Sequence, residues 1–398
     1  MYKLISFAFI FITLHVTAQY KNDNVLFKTV YPEDLKQELK NHPGYFLLDV
    51  RSKGENEDTS SFGLNIGRLR NATNIDVRQL GTRLGELQAY KNTPVFVYCS
   101  HSQRSRRASK MLADSGFTKV FNINGGMTTL LQTNSHIDEI YETKNKFKYL
   151  SPARFCNEIN NKNIFLLDVR PDSLYNSITA DEQDNAIGKF KNAVHIPVTD
   201  LVNSLGKVPK DKMIIVIDDY GNQSPRAATI LTSNGYKNVS VLFDGMNNLI
   251  STLDGNCKKD IWQQSKKYYS LTFDEFDMLA KANKNTVILD VRPSDEYSNQ
   301  SKATFRNTGH IKNAVNIPVD DLDNRLSKIS AYKNKPIVVY NFGSNRDAYH
   351  AAAILAANGF TNVNILTGGI FDLRWRAANF KGKSYLKYWV TDIPADNL

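Results

Sequence analysis

Short apolar runs alternate with stretches of helical spacing along most of the chain. FLLDVR occurs at residues 46–51 and again at 165–170, and VILDVR follows at 287–292, so one run returns about every 120 residues. Runs of this length, bounded by turn residues and alternating with helical patterns, are typical of βα units around a buried parallel sheet. The pattern predicts an α/β protein made of three tandem domains.

The three copies continue in the same order after this first run. A GxxxNA motif comes next, then a second apolar strand, an Ala-rich helical stretch, and a closing glycine at Gly126, Gly245 or Gly369. We expect the domains to span residues 20–145, 146–262 and 263–398. The second strand reads PVFVYC (94–99), MIIVID (213–218) and PIVVYN (336–341).

Residues that recur in all three copies are interpreted as structural. An aspartate and an arginine two positions apart end each first run, and we expect a fold-holding ion pair or cap from them. The closing glycines suit backbone positions that need a positive φ. The recurring pairs are Asp49 with Arg51, Asp168 with Arg170, and Asp290 with Arg292.

The first residues have a different pattern. Lys3 precedes an apolar run from Leu4 to Val16 and small residues at 17–18, which is typical of a secretory signal peptide. The alternative is a membrane anchor, but the run is shorter than the roughly 20 apolar residues that span a bilayer. We therefore expect residues 1–18 to be removed, with cleavage after Ala18. The mature protein is expected in the periplasm or outside the cell, without a membrane span.

Composition and net charge indicate which classes of binding partner the protein favours. The chain has 398 residues, 41% of them hydrophobic and 23% charged, which fits a folded globular protein. Its formal net charge of +10 favours encounters with anions. Because the charge is scattered and export is expected, small inorganic anions are better candidates than nucleic acid. The cysteine count of three is odd and too small for a disulfide framework, so at least one thiol is expected to stay unpaired.

Cys99 occurs at the end of the second strand in the first copy only. Asp218 and Asn341 take its place in the other copies, which are therefore predicted to be inactive. The loop CSHSQR (99–104) leads into a helix for which Ser105 is expected to be the N-cap. Such a loop favours a thiolate and binds anions through its amides and the helix dipole. The expected amide donors are Ser100, His101, Ser102, Gln103 and Ser105.

Arg104 is the expected direct anion contact, because it closes the loop. We expect His101, Arg106 and Arg107 to be exposed, although His101 could assist at the mouth. The adjacent Asp218 and Asp219 are expected to be solvated. Of the remaining cysteines, Cys156 is expected to be a packed thiol, and Cys257 lies in a polar linker.

The combined motifs resemble the rhodanese family. Three motifs occur in the same order in every copy: LDVR, GxxxNA and the closing glycine. The first copy also has the sequence YCxxxxRS around Cys99, between the second and third of these motifs. The resemblance covers nearly all the chain after residue 18. The resemblance implies three α/β/α domains, each around a mainly parallel five-stranded sheet. It also implies thiosulfate sulfurtransferase activity through a persulfide on Cys99, without metal or organic cofactor.

By this resemblance a small sulfur-containing anion is the donor, and a thiol or cyanide is the acceptor. The loop lacks the glycine and second arginine often found after the family's cysteine, which bears on donor preference. Phosphatase or arsenate reductase chemistry is the enzymatic alternative, but those enzymes have five residues between cysteine and arginine, and this loop has four. A non-enzymatic sulfur carrier or protein-binding module is the other alternative, with domains 2 and 3 as a surface for a protein partner.

Overall fold

The computed structural model describes residues 26–133, 137–253, 261–343 and 346–394. Within these ranges the chain forms three α/β units, each around a five-stranded parallel sheet flanked by helices, which confirms the predicted fold class. The predicted signal peptide at residues 1–18 and Cys257 lie outside the described residues. Among the described residues, no helix has the length and apolar character needed to cross a bilayer.

The first domain is built on five parallel strands with β5 and β2 near the centre. The strands are β1 (Lys28–Val30), β2 (Phe46–Asp49), β3 (Arg68–Leu69), β4 (Thr73–Asn74), β5 (Val95–Tyr98), β6 (Val120–Ile123) and β7 (Tyr141–Glu142). The order in the five-stranded sheet is β1-β6-β5-β2-β4. The α-helices are α1 (Leu35–Asn41), α2 (Lys53–Asn56), α3 (Val77–Arg83), α4 (Gln103–Asp114) and α5 (Gly126–Gln132); 3₁₀ helices cover Pro32–Asp34, Phe62–Leu64 and Leu84–Tyr90.

The second domain repeats this arrangement. Its strands are β8 (Lys148–Leu150), β9 (Ile164–Asp168), β10 (Lys189–Phe190), β11 (Val194–His195), β12 (Met213–Ile217), β13 (Val239–Leu242) and β14 (Trp262–Gln263). Its helices are α6 (Pro152–Glu158), α7 (Asp172–Tyr175), α8 (Glu182–Ala186), α9 (Ser224–Ser233), α10 (Gly245–Thr252) and a 3₁₀ helix, Val202–Lys207. The sheet order is β11-β9-β12-β13-β8.

The third domain has the same topology. Its strands are β15 (Tyr269–Leu271), β16 (Val287–Asp290), β17 (His310–Ile311), β18 (Val315–Asn316), β19 (Ile337–Tyr340), β20 (Val363–Leu366) and β21 (Val390–Thr391). The sheet order is β15-β20-β19-β16-β18. The helices are α11 (Phe273–Ala282), α12 (Ser294–Tyr297), α13 (Leu322–Arg325), α14 (Arg346–Ala357) and α15 (Gly369–Asn379); 3₁₀ helices cover Thr304–Arg306, Val319–Asp321, Leu326–Tyr332 and Ser384–Trp389.

The central strands are buried on both faces, because helices cover the sheet on each side. Along β5 the side chains alternate, so that Phe96 and Tyr98 join one core cluster, while Val97 and Cys99 join the cluster on the other face. Such a strand reads as a continuous apolar run, which explains why the three sheets were recognisable in the sequence. The alternation also fixes the face on which Cys99 emerges.

A short antiparallel ribbon closes each domain. The strand of the GxxxNA motif pairs with a strand that follows the domain's last helix: β3 with β7, β10 with β14, and β17 with β21. The glycine that opens the motif is needed for this approach, since a Cβ on Gly67 would lie 2.6 Å from the Glu142 carbonyl oxygen. The ribbons therefore tie the connecting segments back onto the domains that they follow.

A buried ion pair stands at the carboxyl end of each first strand. Asp49 and Arg51 are both fully buried, and Arg51 Nη2 donates to Asp49 Oδ2 at 2.7 Å and to the Gly67 carbonyl at 2.8 Å. The equivalent pairs in the second and third domains have the same geometry. The predicted fold-holding ion pair is thus confirmed in all three copies.

The domains also share core residues. Ala186 of the second domain packs in the apolar core of the third, and Phe243 of the second packs in the core of the first. Arg346 on α14 of the third domain forms an ion pair with Asp181 of the second domain at 2.6 Å. The three units are consequently packed against one another through buried side chains.

We predict that Asp49→Asn destabilises the protein by about 3 kcal/mol or more, because it leaves Arg51 buried without a compensating charge. Asp76→Asn is the matched control: Asp76 and Arg78 have the same spacing and the same hydrogen bonds to each other, but Arg78 is exposed. We expect a loss of at most about 1 kcal/mol there. Urea unfolding of both variants checks this, and equal losses would contradict a structural role for burial of the pair.

Candidate active site

The loop after β5 is held in place by the start of α5. The N–H groups of Met127 and Thr128 donate to the carbonyl oxygens of Cys99 and Ser100, both at 2.9 Å. Gly126 makes this contact possible: its φ is 60°, and a Cβ would lie 2.3 Å from the Cys99 oxygen. The predicted positive φ of the closing glycine is confirmed, and its physical reason is close approach to the loop.

Cys99 is a free cysteine with 1% of its surface exposed. Its Sγ accepts a hydrogen bond from the Ser102 N–H at 3.1 Å. In the thiol form Cys99 donates to Ser105 Oγ at 3.5 Å, and Ser105 Oγ donates to the Ser102 carbonyl at 3.0 Å. Two of the expected loop residues thus contact the sulfur, one through its amide and one through its hydroxyl.

The prediction that Ser105 is the helix N-cap is wrong. Helix α4 begins at Gln103, so Ser105 is its third residue and Ser102 occupies the cap position. The Ser102 hydroxyl does not cap the helix and instead donates to Asn124 Oδ1 at 3.0 Å. Since the first N–H groups of a helix have no intrahelical partner, the amides of Arg104 and Ser105 are free to face the loop centre.

Ser102 has an unusual backbone conformation, with a φ of 109°. A positive φ is unfavourable for a residue with a Cβ, and Ser102 is fully buried as well. Gly221 holds the equivalent position in the second domain with a φ of 76°. In the first domain a serine therefore adopts a positive φ at a position where the second domain has a glycine.

Arg104 is held by a residue that the sequence analysis missed. Its Nη1 and Nη2 donate to Glu55 Oε2 and Oε1, each at 2.7 Å, and Nη2 also donates to Ser100 Oγ at 2.7 Å. Burial raises the pKa of Glu55, but hydrogen bonds from Arg104 and Ser52 outweigh it and lower the pKa to about 2. Ser52 and Glu55 form a capping box at α2, and this spacing was a readable signal for Glu55.

The Arg104 guanidinium thus closes the loop from the outside. Its two nitrogens are engaged with Glu55, and its side chain is 35% exposed. A bidentate pair of this kind fixes the orientation of both partners. Arg104 accordingly stiffens the loop, and Glu55 balances its charge.

The other polar residues of the loop lie nearer the surface. His101 contacts Ser100 Oγ at 2.9 Å and Thr128 Oγ1 at 3.4 Å, and Gln103 has an exposed side chain. Partial desolvation of the imidazole, together with the charge of Arg104, lowers the pKa of His101. The ring is therefore mainly neutral at neutral pH, as an acceptor or weak donor at the rim of the loop.

Of the two following arginines, only Arg107 is exposed as expected. Arg106 lies over the Phe27 ring at 5.8 Å, and its buried Nη1 has no hydrogen-bond partner among the described residues. Burial lowers the pKa of Arg106. The expectation of a solvated side chain is wrong for Arg106, because the side chain packs on Phe27, next to β1.

The second domain shows where the loop amides point. Asp218, at the position of Cys99, is fully buried, and its Oδ1 accepts from the Gly221 N–H at 2.7 Å. Its Oδ2 accepts from the N–H groups of Gln223 at 2.5 Å and Ser224 at 2.9 Å. The expected solvated carboxylates are therefore wrong: Asp218 is the internal anion of this loop, and Asp219 is also buried.

The two loops correspond residue by residue. Gly221 occupies the position of Ser102. The Gly221 N–H donates to Asp218 Oδ1, and the Ser102 N–H donates to Cys99 Sγ. Gln223 and Ser224 occupy the positions of Arg104 and Ser105. Burial raises the pKa of Asp218 to about 6, against three N–H donors that lower it. At neutral pH the second loop therefore holds a mainly negative carboxylate.

The third domain has neither a cysteine nor a carboxylate at this position. Asn341 is buried, and neither atom of its amide has a hydrogen-bond partner within the described ranges. Glu296 accepts a single hydrogen bond from Arg306 Nη1 at 2.7 Å, whereas both oxygens of Glu55 accept from Arg104. Arg346, which follows Asn341 at the spacing of Arg104 from Cys99, pairs with Asp181 of the second domain.

Cys156 does not match its prediction. It forms a disulfide, so the expectation of a packed thiol is wrong.

In the part of the chain that the structure describes, no group of three or more His, Cys, Asp and Glu side chains is arranged to hold a metal ion.

The fold and the loop define a class: tandem α/β domains that present a strand-end loop of convergent amides, with a cysteine in one copy. The rhodanese-like domain matches the chain three times, at residues 31–132, 151–252 and 272–374. These matches cover most of the chain, and the protein belongs to the rhodanese-like domain family.

Individual relatives are similar over single domains. An uncharacterized protein of Bacillus subtilis (strain 168), YqhL, is 32% identical over 113 residues, which cover 28% of this chain and 79% of that protein. A tRNA uridine(34) hydroxylase of Cytophaga hutchinsonii is 30% identical over 103 residues. This match covers 25% of the chain and only 30% of the hydroxylase.

Among solved structures, a thiosulfate sulfurtransferase from Pseudomonas aeruginosa is 15% identical with a TM-score of 0.23. The match covers 85% of this chain and 66% of that one. The family relationship therefore rests on the repeated domain matches.

We predict that Ser102→Gly is more stable than Ser102→Ala by about 1 to 2 kcal/mol, since only glycine adopts the positive φ without steric cost. Both variants lose the hydroxyl that donates to Asn124, so the comparison isolates the backbone. Urea unfolding of the two variants provides the measurement. Equal stabilities would show that the loop does not hold residue 102 in this conformation.

Proposed function

We propose that the protein is a sulfurtransferase that carries sulfane sulfur as a persulfide on Cys99. The donor is a small sulfur-containing anion such as thiosulfate, and the acceptor is a thiol or cyanide. Membership of the rhodanese-like domain family supports sulfur-transfer chemistry in general terms. The particular reaction rests on the loop around Cys99.

The carboxylate of Asp218 is the observation that carries this proposal. Its Oδ2 is bonded to Cγ, which has the same place in the side chain as Sγ has in cysteine. This Oδ2 accepts hydrogen bonds from two amide N–H groups. The outer sulfur of a Cys99 persulfide would likewise lie one bond beyond Sγ. By this correspondence, the N–H groups of Arg104 and Ser105 are placed to hold a negative outer sulfur.

Loading begins with attack of the Cys99 thiolate on the outer sulfur of thiosulfate. The new bond joins Cys99 Sγ to that sulfur, and the bond to the sulfonate sulfur breaks. Sulfite leaves with the electron pair of the broken bond. The Ser102 N–H donates to Sγ at 3.1 Å, so it is positioned to hold the attacking sulfur.

Transfer reverses the role of Cys99. An acceptor thiolate or cyanide attacks the outer sulfur, and Cys99 leaves as a thiolate that is held again by the Ser102 amide. The products are an acceptor persulfide or thiocyanate. Because the sulfur is covalently bound between two separate steps, ping-pong kinetics are expected.

Arg104 and Glu55 act on this chemistry through position. Their bidentate pair holds the outer side of the loop, and within it each charge balances the other. The side chains of Ser100 and His101 complete the rim. We therefore assign sulfur holding to the amides and loop positioning to the Arg104 side chain.

We also propose that the protein acts outside the cytoplasm. The first residues support this, since Lys3 and the apolar run that follows resemble a signal peptide. The disulfide at Cys156 supports it as well, because disulfides persist in oxidising compartments. Cys99 stays free in the same chain, as a sulfur-carrying thiol must.

Intact-mass measurement tests the proposal. The reduced protein, freed of reductant and incubated with thiosulfate, is expected to gain the mass of one sulfur atom, and Cys99→Ser is expected to gain none. Cyanide should then remove the added sulfur as thiocyanate.

A sulfur adduct that persists in Cys99→Ser would contradict the assignment of the persulfide to Cys99. Absence of an adduct with thiosulfate, together with Cys99-dependent hydrolysis of a phosphate ester or reduction of arsenate, would overturn sulfur transfer in favour of the related chemistries.

A further inference from the structure

A cleft of about 300 Å³ lies where the three domains meet, beside the Cys99 loop. Its volume is at the lower end of that of small-molecule sites. A larger cavity of about 890 Å³, between Leu130 and Glu158, is lined by none of the loop residues. The first domain lines the cleft with His101 and Gln103, the second with Asp244, and the third with Phe371, Trp375 and Phe380.

The loop is connected to the third domain by hydrogen bonds. Ser102 Oγ donates to Asn124 Oδ1 at 3.0 Å, and Asn124 Nδ2 donates to the Asn379 carbonyl at 3.2 Å. Asn379 is the last residue of α15, the helix that carries Phe371 and Trp375. The third domain is thereby held at a fixed distance from the loop, although its own loop lacks a cysteine.

The charge in the cleft is unbalanced. Asp372 is neutralised by Arg376, whose Nε donates to it at 2.9 Å. Asp244 Oδ2 accepts a neutral hydrogen bond from Gln132 at 2.9 Å, and no cation of the described residues pairs with it. Burial raises the pKa of Asp244 to about 6, so the carboxyl is mainly ionised at neutral pH and would gain from a cationic partner.

The aromatic wall favours the same kind of ligand. Phe371 is 49% exposed and Trp375 is half-buried, so each presents part of its ring to the cleft. Aromatic faces attract cations, and they also bury the apolar body of an organic molecule. A free inorganic ion would leave most of the cleft volume and the apolar ring surface unused.

We propose that this cleft is the acceptor site and that it takes a small organic thiol carrying a protonated amine. This inference rests on the proposed persulfide chemistry and adds the acceptor class to it. The ammonium group faces Asp244 and the rings of α15, while the thiolate attacks the outer sulfur on Cys99. The acceptor leaves as an aminothiol persulfide, and Cys99 is released as a thiolate.

Two acceptors of similar size and opposite charge test the inference: cysteamine and 3-mercaptopropionate. The protein is first loaded with thiosulfate, and loss of the persulfide is followed for each acceptor. The ratio of the two second-order rate constants is compared among the parent, Trp375→Ala and Asp244→Asn. Differences in intrinsic thiol reactivity cancel, because the same pair is used with every protein.

We expect each substitution to lower the cysteamine preference about tenfold, the size of a partly desolvated cation contact. Tyr269→Ala and Asp200→Asn are matched controls on exposed residues of the third and second domains that do not line the cleft. They should keep the parent ratio.

An unchanged ratio in both cleft variants would overturn the acceptor site, even with normal loading. Failure of the parent to load would instead overturn the proposed function. A fall in the ratio of the control variants as large as that in the cleft variants would also contradict the inference.

Discussion

Backbone N–H groups that converge on one side chain are the constraint on which this site depends. In the second domain three of them meet the Asp218 carboxylate, and in the first the Ser102 amide meets Cys99 Sγ. The convergence is built from outside the loop: a strand ends in a buried Asp and Arg pair, and the start of a helix binds the loop carbonyls across a glycine. The frame thus exists independently of the side chain at its centre.

This independence explains how three copies can differ at one position and keep one fold. A carboxylate satisfies the amides of the second loop internally, so that loop needs no ligand and carries no nucleophile. The second and third domains instead contribute surface to the first: Phe243 packs in its core, and α15 borders the Cys99 loop. These two domains thus support the first domain and border its loop without a cysteine of their own at the strand end.

The fold was predictable because strands buried on both faces, such as β5, read as apolar runs, and because the repeat separated shared residues from Cys99. The site was predictable only in part. The backbone of Ser102 mimics glycine, which no local pattern indicates, and Arg106 packs on Phe27, which is distant in sequence. Glu55 was marked by its capping box, but its pairing with Arg104 depends on tertiary packing. The three-domain cleft likewise depends on how the domains pack.

A crystal structure of the thiosulfate-treated protein would show whether the loop amides hold the outer sulfur, on which the proposed chemistry depends. We expect electron density for one added atom on Cys99 Sγ, within hydrogen-bond distance of the N–H groups of Arg104 and Ser105, in the place that Asp218 Oδ2 takes in the second loop. An added sulfur that points away from both amides, towards solvent or the Arg104 guanidinium, would contradict the account.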